Sequence, residues 1–550
     1  MVQDSFIELK GRERALALLD KHSFREILGP FDKLESPHLA PQGIVPESDD
    51  GMVIARGKFD GQDVVVLSIE GLFQGGGIGE VCGSKIAGSL EHALTDNKNG
   101  KRIIPIIVFD TGGVRLQEAN YGLLIISEIQ SAIVALREHV PVIGLIPGNV
   151  GCFGGMSITA ALCSELIMTK TARFGMNGPE VIEQEAGIVE FNSHDRRLIW
   201  DTIGGAARLE SGLIDQLVED DIEAFKNAIR IAINKKPSVF RTRQIDRFLS
   251  AVNLLDPLKR TTTKEAAAFL NNGTRINAKI ENASTSSRGR TWFTALTEGA
   301  ESVSDFPGIL IADRIFNGML TRFIAVVPNE KNRYPRATKG EIGVQEGWEL
   351  AKYIRQAIEE DQNNAVKRNL IAIIDVPSQA YGYNEELLGI HYACAASVDA
   401  YATARLHGHA VTGIIVGNAI SGAYLAHGMQ SSRLIALDDK AINVQAMSKQ
   451  SAARITKRTI AELDEATGKV PAMAYDIHNY YTLGALDKLI EGVNADQPTS
   501  EDIEKVAYYL AKAINAGDYT LGQRLKTKPA MNGGRASSIL TRAKLAEQWN

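Results

Sequence analysis

Short, continuously apolar segments alternate along the chain with stretches of roughly 15 to 20 residues that carry helical periodicity. The segments DVVVLSI, RIIPIIVFD, VPVIGLIPG, LIAIIDVP and VTGIIVGN have the length and the β-branched content of strands. Because their apolar character is continuous rather than alternating, these strands are predicted to lie in sheets that are covered on both faces. The pattern predicts an α/β fold.

The same succession of elements occurs twice. A strand that ends in aspartate (Asp110 and Asp375) leads into a polar turn, a long helix, a second strand and a glycine-rich turn. The long helices are predicted over residues 121–139 and 390–407. The two copies lie about half of the 550-residue chain apart, whereas solenoid repeats span only about 20 to 50 residues. We therefore expect two similar domains, and facing copies could build one site between them.

A polar stretch without apolar periodicity, residues 271–290, separates the two copies and is predicted to be a linker, with the boundary near Ser284. The predicted organisation is a first domain over residues 1–283, a linker over 284–290 and a second domain over 291–550. The first domain is expected to end in a helical tail from about residue 222, with a helix that opens on Thr263. An amphipathic helix is predicted over residues 499–515.

Composition restricts the class of protein. A hydrophobic content of 44%, a charged content of 23% and a formal net charge of -6 fit a soluble globular protein without a nucleic-acid partner. The four cysteines are scattered, so neither a metal-binding ribbon nor a disulfide framework is predicted. The amino terminus lacks the apolar core of a signal peptide, and no apolar run reaches the roughly 18 residues of a membrane span. We expect a cytoplasmic protein without a membrane partner.

Four glycine-rich turns follow predicted strands, at residues 71–80, 110–118, 148–157 and 417–424. Glycines let the backbone approach a ligand, and the first N–H groups of a helix have no internal acceptor, so such turns can bind a phosphate, a carboxylate or a transient oxyanion. The chain has no P-loop, nucleophile elbow or H-E-x-x-H sequence, which disfavours nucleotide, acyl-enzyme and zinc chemistry. Two amide-lined holes would suit a reaction that develops negative charge on a carbonyl oxygen.

Longer motifs carry a family resemblance. DTGGVRLQEA followed by GNVGCFGGMS resembles the amino-terminal half of the acyl-CoA carboxyltransferases, and DVPSQAYGYNEELLGIHYACA followed by GNAISGAYLAHG resembles their carboxyl-terminal half. FGMNGPEVIEQEAGIVEF and SRGRTWFTALTEG are similar to segments of the β and γ subunits of biotin-independent malonate decarboxylase, here joined in one chain. The resemblance implies two crotonase-type (ClpP/crotonase) spiral ββα domains, as in the carboxyltransferase N and C domains.

The resemblance also implies an activity. A malonyl thioester, carried on the CoA-like prosthetic arm of an acyl carrier protein, would lose carbon dioxide through an enolate and become an acetyl thioester. No metal, biotin or covalently bound cofactor is expected. The implied partners are the acyl carrier protein subunit and an acyl-carrier transferase subunit of a malonate decarboxylase complex. The sequence leaves open whether the chain also forms a homo-oligomer. Two alternatives remain: a carboxyltransferase that passes the carboxyl group to a biotin protein, and a non-catalytic scaffold that binds the carrier.

By the same resemblance, two oxyanion holes are assigned to backbone amides. The first hole is assigned to Gly112, Gly113, Val114, Gly154 and Gly155. The second hole is assigned to Ser421, Gly422 and Ala423, with the turn from Tyr381 to Tyr383 beside it. The first hole would stabilise the enolate, whereas the second could hold the departing carboxylate or nothing.

The proton donor and the groups that contact substrate are less well determined. Candidate proton donors are Glu118, Tyr381 and Tyr383, and His391, Cys152 and water are further sources. Substrate contacts are assigned to Arg115, Gln117, Cys152, Phe153, Gly382 and His391. Arg115 and Glu118 could equally form a salt bridge that braces the turn. Basic residues at Lys98, Lys101 and Arg102 and in the loop 329–341 could meet the carrier protein.

Overall fold

The computed structural model describes residues 4–236, 238–272 and 281–550, so residues 273–280 of the predicted linker lie outside the described residues. The strands are β1 (Arg25–Ile27), β2 (Met52–Phe59), β3 (Gln62–Ile69), β4 (Ile104–Val108), β5 (Ile143–Ile146), β6 (Glu165–Thr169), β7 (Gln216–Val218), β8 (Ile309–Phe316), β9 (Met319–Val326), β10 (Asn369–Val376), β11 (Val411–Ile420), β12 (Arg433–Leu437), β13 (Val444–Gln445) and β14 (Lys488–Ile490). The helices are α1 (Gly11–Leu18), α2 (Glu80–Lys98), α3 (Ala119–Leu136), α4 (Gly154–Ala161), α5 (Pro179–Ala186), α6 (Arg196–Ile203), α7 (Gly205–Glu210), α8 (Ile222–Asn234), α9 (Ile245–Leu254), α10 (Thr263–Asn272), α11 (Arg288–Leu296), α12 (Val344–Glu360), α13 (Tyr383–Leu387), α14 (Ile390–Leu406), α15 (Ser421–Ala426), α16 (Lys449–Ile455), α17 (Ile460–Lys469), α18 (Ile477–Thr482), α19 (Ser500–Ile514) and α20 (Ala536–Gln548).

The first half contains a sheet with the strand order β1-β2-β3-β4-β5-β6-β7. Strands β1 to β3 pair antiparallel, and the pairs from β3 to β7 are parallel. All residues of β4 and of β5 are buried, as expected for central strands that are covered on both faces. The sheet thus brings the carboxyl ends of β4 and β5, where the glycine-rich turns follow, to the same edge.

The second half repeats this arrangement. Its sheet has the order β14-β12-β11-β10-β9-β8, β8 and β9 are antiparallel, and the other neighbours are parallel. Strand β13 adds a short parallel pair at the end of β11. Strands β8 to β12 and β14 therefore correspond to β2 to β7 in sequence order and direction. The predicted duplication and the crotonase-type α/β fold are confirmed.

The long helices occur where the apolar pattern predicts them. Helix α3 begins two residues before its predicted start and α14 begins at its predicted start; each ends within three residues of its predicted end. Helix α19 is preceded by Thr499, whose hydroxyl accepts the Asp502 N–H and so caps the helix. Helix α3 is by length and composition able to span a membrane, contrary to the expectation from the sequence, but 94% of its apolar window is buried in the protein. It is a core helix of the first half.

The region around the predicted boundary is partly helical. Helices α8, α9 and α10 form the predicted tail, and α10 begins at Thr263 as expected. Ser287 caps α11 by accepting the Arg290 N–H, so residues 288–290 of the predicted linker form the first turn of a helix. Ser284 forms a bridge with Asn329 of the second half.

The two halves pack against each other through the helices that follow the glycine-rich turns. Helix α14 lies against α3 and α4, and α15 lies against α4. The carboxyl-terminal helix α20 crosses back onto α2 of the first half. There the Trp549 indole donates to Asp96 at 2.8 Å and lies 4.6 Å from the Arg56 guanidinium. The chain end therefore closes over the first half instead of projecting into solvent.

Candidate active site

A cavity of about 560 Å³ lies between the two halves. The first half contributes Gly112, Val114, Arg115, Gln117, Phe153, Gly154 and Gly155 to its lining, and the second half contributes Gln379, Ser421, Gly422 and Leu425. A β-carbon added at Gly155 would lie 2.8 Å from Leu425, which shows how closely the two halves meet here. The two repeats therefore build one site within a single chain.

Three of the five amides predicted for the first hole already donate hydrogen bonds within the protein. The Gly112 N–H donates to the Gly75 carbonyl at 2.9 Å, and the Gly154 N–H donates to the Met176 carbonyl at 2.9 Å. The Gly113 N–H donates to the threonine hydroxyl two residues before it at 3.0 Å. These amides hold the turns in shape and are not free for a ligand.

The Val114 N–H has no acceptor among the described residues, and Val114 lines the cavity. Its direction follows from the peptide bond: the Gly113 carbonyl accepts the Ile78 N–H at 2.8 Å, and in a trans peptide the N–H points away from the carbonyl. The Gly155 N–H is the second of α4, so it has no acceptor within that helix, and Gly155 also lines the cavity. Val114 and Gly155 are thus the free donors of the first hole.

The two turns that carry these donors are in close contact, and glycine makes this possible. A β-carbon at Gly113 would lie 3.0 Å from the Phe153 carbonyl oxygen and 3.1 Å from the Gly154 Cα. Gly113 has a φ of 104°, and Gly154 a φ of 56°, in the region that other residues rarely adopt. A side chain at Gly113 would press the two turns apart, whereas a side chain at Gly154 would strain the backbone at its positive φ.

A buried ion-pair network lies beneath the first turn. Arg115 donates to Asp50 at 2.6 Å and to Glu118 at 2.8 Å, and all three side chains are almost completely buried. Glu118 also accepts the Ser36 hydroxyl at 2.8 Å and the Glu80 N–H at 3.2 Å. The Glu118 carboxylate does not line the cavity. Its contacts are those of the salt bridge that braces the turn rather than those of a proton donor.

Glu385 occupies the corresponding place in the second half. It accepts the Val344 N–H at the start of α12 at 2.8 Å, as Glu118 accepts the Glu80 N–H at the start of α2. Gly382 stands three residues before Glu385, where the first half has an arginine, and among the described residues no cation forms an ion pair with Glu385. Burial, with the charge of the nearby Glu346, raises the pKa of Glu385 to about 8. The second turn is therefore supported by a carboxyl group whose charged form is disfavoured by burial.

The other candidate donors lie outside the cavity lining. The Tyr383 hydroxyl donates to the Thr261 carbonyl at 2.8 Å, and burial raises the pKa of Tyr381. His391 is fully buried against Phe174, neither ring nitrogen has a hydrogen-bond partner, and burial lowers its pKa well below the usual value. Burial likewise raises the pKa of the Cys152 thiol. Gly382 and Ala423 do not line the cavity either.

The second predicted hole is occupied by a side chain. The Gly422 N–H donates to the Gln379 Oε1 at 3.2 Å, and both residues line the cavity. Ser421, at the first position of α15, has a φ of 58°, which is uncommon for a residue with a side chain. The two halves thus differ at the second residue of the helix that follows each turn: the Gly155 N–H is free, whereas the Gly422 N–H is already bonded.

Several cavity residues were not among the predicted site residues. An apolar part of the lining is formed by Leu123, Met176, Leu425, Ala446, Met447 and Ile455. Asn177 and Gln379 supply polar groups next to it. Met176 and Asn177 lie in the motif FGMNGPE, and Gln379 lies in DVPSQAYGYN, so the motifs that carry the family resemblance contained this signal. Within the described parts of the chain, no group of three His, Cys, Asp or Glu side chains is placed to hold a metal ion.

Comparisons with known proteins identify the families that the two halves match. The family described as Malonate decarboxylase gamma subunit matches residues 337–549, and the Carboxyl transferase domain family matches residues 8–244. The chain is 42% identical over 241 residues to the Malonyl-S-ACP:biotin-protein carboxyltransferase MADC of Malonomonas rubra, which is 42% of this chain and 76% of that protein. It is 34% identical over 173 residues to MADD of the same organism, 31% of this chain and 59% of that protein. A subunit in the crystal structure of a Pseudomonas malonate decarboxylase hetero-tetramer in complex with malonate is 49% identical, with a TM-score of 0.48, over 49% of this chain and 98% of that one.

Proposed function

The chain belongs to the malonate decarboxylase family, as a fusion of its β-like and γ-like carboxyltransferase parts, and from this premise we propose that it releases carbon dioxide from a malonyl thioester. The observation that carries the proposal is the pair of free N–H groups, on Val114 and Gly155, at one wall of a cavity shared by both halves. The product is the acetyl thioester.

The chemistry needs a place for negative charge. When the bond between the α-carbon and the carboxylate breaks, its electron pair moves to the α-carbon and the thioester oxygen, which forms an enolate and neutral carbon dioxide. Two N–H donors that face the thioester oxygen stabilise this charge, and each such donor is worth about 2.7 to 4 kcal/mol in well-studied enzymes. A proton then reaches the α-carbon and completes the acetyl group.

The apolar part of the cavity supports the same direction of reaction. Side chains such as Leu123, Met447 and Ile455 offer no hydrogen-bond donor to a carboxylate. A carboxylate that loses hydration in such surroundings is destabilised, and loss of carbon dioxide removes that charge. We assign the final proton to water, because the candidate side-chain donors do not line the cavity.

We propose that the malonyl group arrives on the prosthetic arm of an acyl carrier protein subunit, which an acyl-carrier transferase subunit would load, and that the complex works in the cytoplasm. The relatives from Malonomonas are named for a malonyl group on such a carrier, and the Pseudomonas relative forms a hetero-tetramer. The chemistry proposed for the chain uses its own amides and needs neither metal nor biotin.

Carboxyl transfer is the second candidate, because the relatives from Malonomonas are named as transferases to a biotin protein. The two activities differ in the fate of one carbon atom. The purified chain is mixed with malonyl-carrier that is labelled in the free carboxylate, with and without a biotin protein. Stoichiometric labelled carbon dioxide without the biotin protein supports decarboxylation. Label that appears only on the added biotin protein would overturn the decarboxylase proposal in favour of carboxyl transfer. Carrier binding without any reaction would instead support a non-catalytic scaffold.

A further inference from the structure

We infer that Gln379 is a specificity-determining residue: its side-chain amide occupies the Gly422 N–H of the second amide hole, so that this N–H cannot hold the malonyl carboxylate, which leaves as carbon dioxide. The inference rests on the proposed function and adds a role for one residue. The Gly422 N–H is the group concerned, since it lines the cavity and donates to Gln379.

The orientation of the Gln379 amide follows from its partners. The Ala380 carbonyl can only accept, so the Asn177 Nδ2 donates to it, at 3.1 Å, and the Asn177 Oδ1 is turned the other way. That oxygen accepts the Gln379 Nε2 at 2.9 Å, which leaves the Gln379 Oε1 to accept the Gly422 N–H at 3.2 Å. A flipped amide would lose both bonds.

This chain of hydrogen bonds is held firmly. The Asn177 N–H donates to Glu386 at 2.6 Å, and Glu386 is completely buried. Gln379 itself is 6% exposed, and a β-carbon added at Gly422 would lie 2.0 Å from the Met176 Cε, so there is no free space beside this glycine. A substrate oxygen could reach the Gly422 N–H only by displacing Gln379 and breaking its bonds to both halves.

The closed hole has a kinetic consequence. A carboxylate that accepted the Gly422 N–H would be stabilised in the bound substrate, and this interaction would be lost as neutral carbon dioxide formed. Binding of that kind lowers KM and lowers kcat, because it favours the ground state over the transition state. With Gln379 in place, the Gly422 N–H does not stabilise the carboxylate of the bound substrate.

The test uses Gln379→Ala, which removes a group of the size and shape of acetamide. We expect KM for malonyl-carrier to fall at least about threefold and kcat for carbon dioxide release to fall by about tenfold, the signature of ground-state stabilisation. Added acetamide should return both values toward those of the wild type, because it can replace the missing amide. A merely structural role would not give this rescue.

Gln379→Glu keeps an acceptor for Gly422 but adds a charge beside the malonyl carboxylate, so KM should rise. Gln430→Ala is the matched control, because Gln430 is also a buried glutamine that bonds to both halves, through Ser127 and Arg405, yet lies outside the cavity. Its kinetics should match the wild type. Unchanged kinetics in both Gln379 variants, or lost activity that acetamide does not restore, would overturn the inference. Absence of carbon dioxide release by the wild type would instead refute the proposed function.

Discussion

Replacement of Val114 by its α-hydroxy acid, introduced by nonsense suppression, tests the first oxyanion hole with a single-atom change. The peptide N–H becomes an ester oxygen, while the side chain and the course of the backbone stay the same. The change removes one of the two free donors of the first hole. Proline would be a poor substitute, because it disfavours the positive φ of Gly113 that brings the turn close to α4.

The magnitude can be divided into two parts. Loss of a donor to the enolate oxygen should raise the barrier by about 2.7 to 4 kcal/mol, which corresponds to a fall in kcat of roughly 10² to 10³-fold. The ester also weakens the Gly113 carbonyl as the acceptor of the Ile78 N–H, now at 2.8 Å, and this bond contributes about 1 kcal/mol to stability. The effect on the rate should therefore clearly exceed the effect on folding.

The assay is single-turnover release of labelled carbon dioxide, with the enzyme in excess over malonyl-carrier, together with thermal unfolding of the same samples. α-Hydroxyvaline at Val239 is the matched control, because Val239 is 65% exposed and its N–H makes no hydrogen bond within the described part of the chain. The control should react as the wild type does. If the Val114 ester retained a rate within threefold of wild type, the assignment of this amide to the enolate would be refuted.

Three further predictions concern the groups around the two turns. Glu385→Gln should remove a pH dependence of the free energy of unfolding, because the pKa of Glu385 is raised from 4.5 to about 8. As the pH rises from 5 to 9, the wild type should lose up to about 4 kcal/mol of stability relative to the variant. Equal changes in the stability of both proteins over this range would contradict the prediction. Burial disfavours the charged form of His38, but its hydrogen bond to Glu80 outweighs this and raises the pKa of His38 above 6.5. The stability that the charged His38 contributes is therefore present below pH 6.5 and lost as the pH rises. In His38→Gln, the thermal unfolding midpoint should depend less on pH above 6.5 than in the wild type. Gly113→Ala should cost about 1 to 3 kcal/mol in stability and most of the activity, because the methyl group would press on the Phe153 carbonyl. Gly468→Ala is its control, since the added carbon there would meet open space. Equal activity in the two variants would contradict the close contact of the turns.

The sequence predicts the architecture well because the strands and helices of both repeats can be recognised from local patterns of apolar residues. Apolar segments and helical periodicity depend on neighbouring residues, so α3, α14 and α19 could be placed within a few residues. The packing of α20 on α2 could not be predicted, since nothing local in the last residues indicates which surface they cover. The bonds of Trp549 join parts of the chain more than 450 residues apart.

The site was predicted in position but not in detail. The glycine-rich turns do line the cavity, yet the sequence cannot show that the Gly154 N–H is used by Met176 while the Gly155 N–H is free. Glu118 was a candidate proton donor because it is a carboxylic acid next to a glycine-rich turn. Only the fold reveals that Ser36 and Arg115 bond to its carboxylate. In each case the deciding partner comes from a distant part of the chain.

The asymmetry between the repeats gives a physical reason for keeping both in one site. Duplication supplies two turns of the same shape, but only the first combines free amides with a charged network, through Arg115 and Glu118, that holds it rigidly. The second turn lacks the arginine, and its amide at Gly422 is satisfied by Gln379. Donors on both walls would bind the thioester oxygen and the carboxylate alike, which tightens binding without lowering the barrier. With the Gly155 N–H free and the Gly422 N–H occupied, these two corresponding amides stabilise the oxygen that gains charge and not the group that must leave.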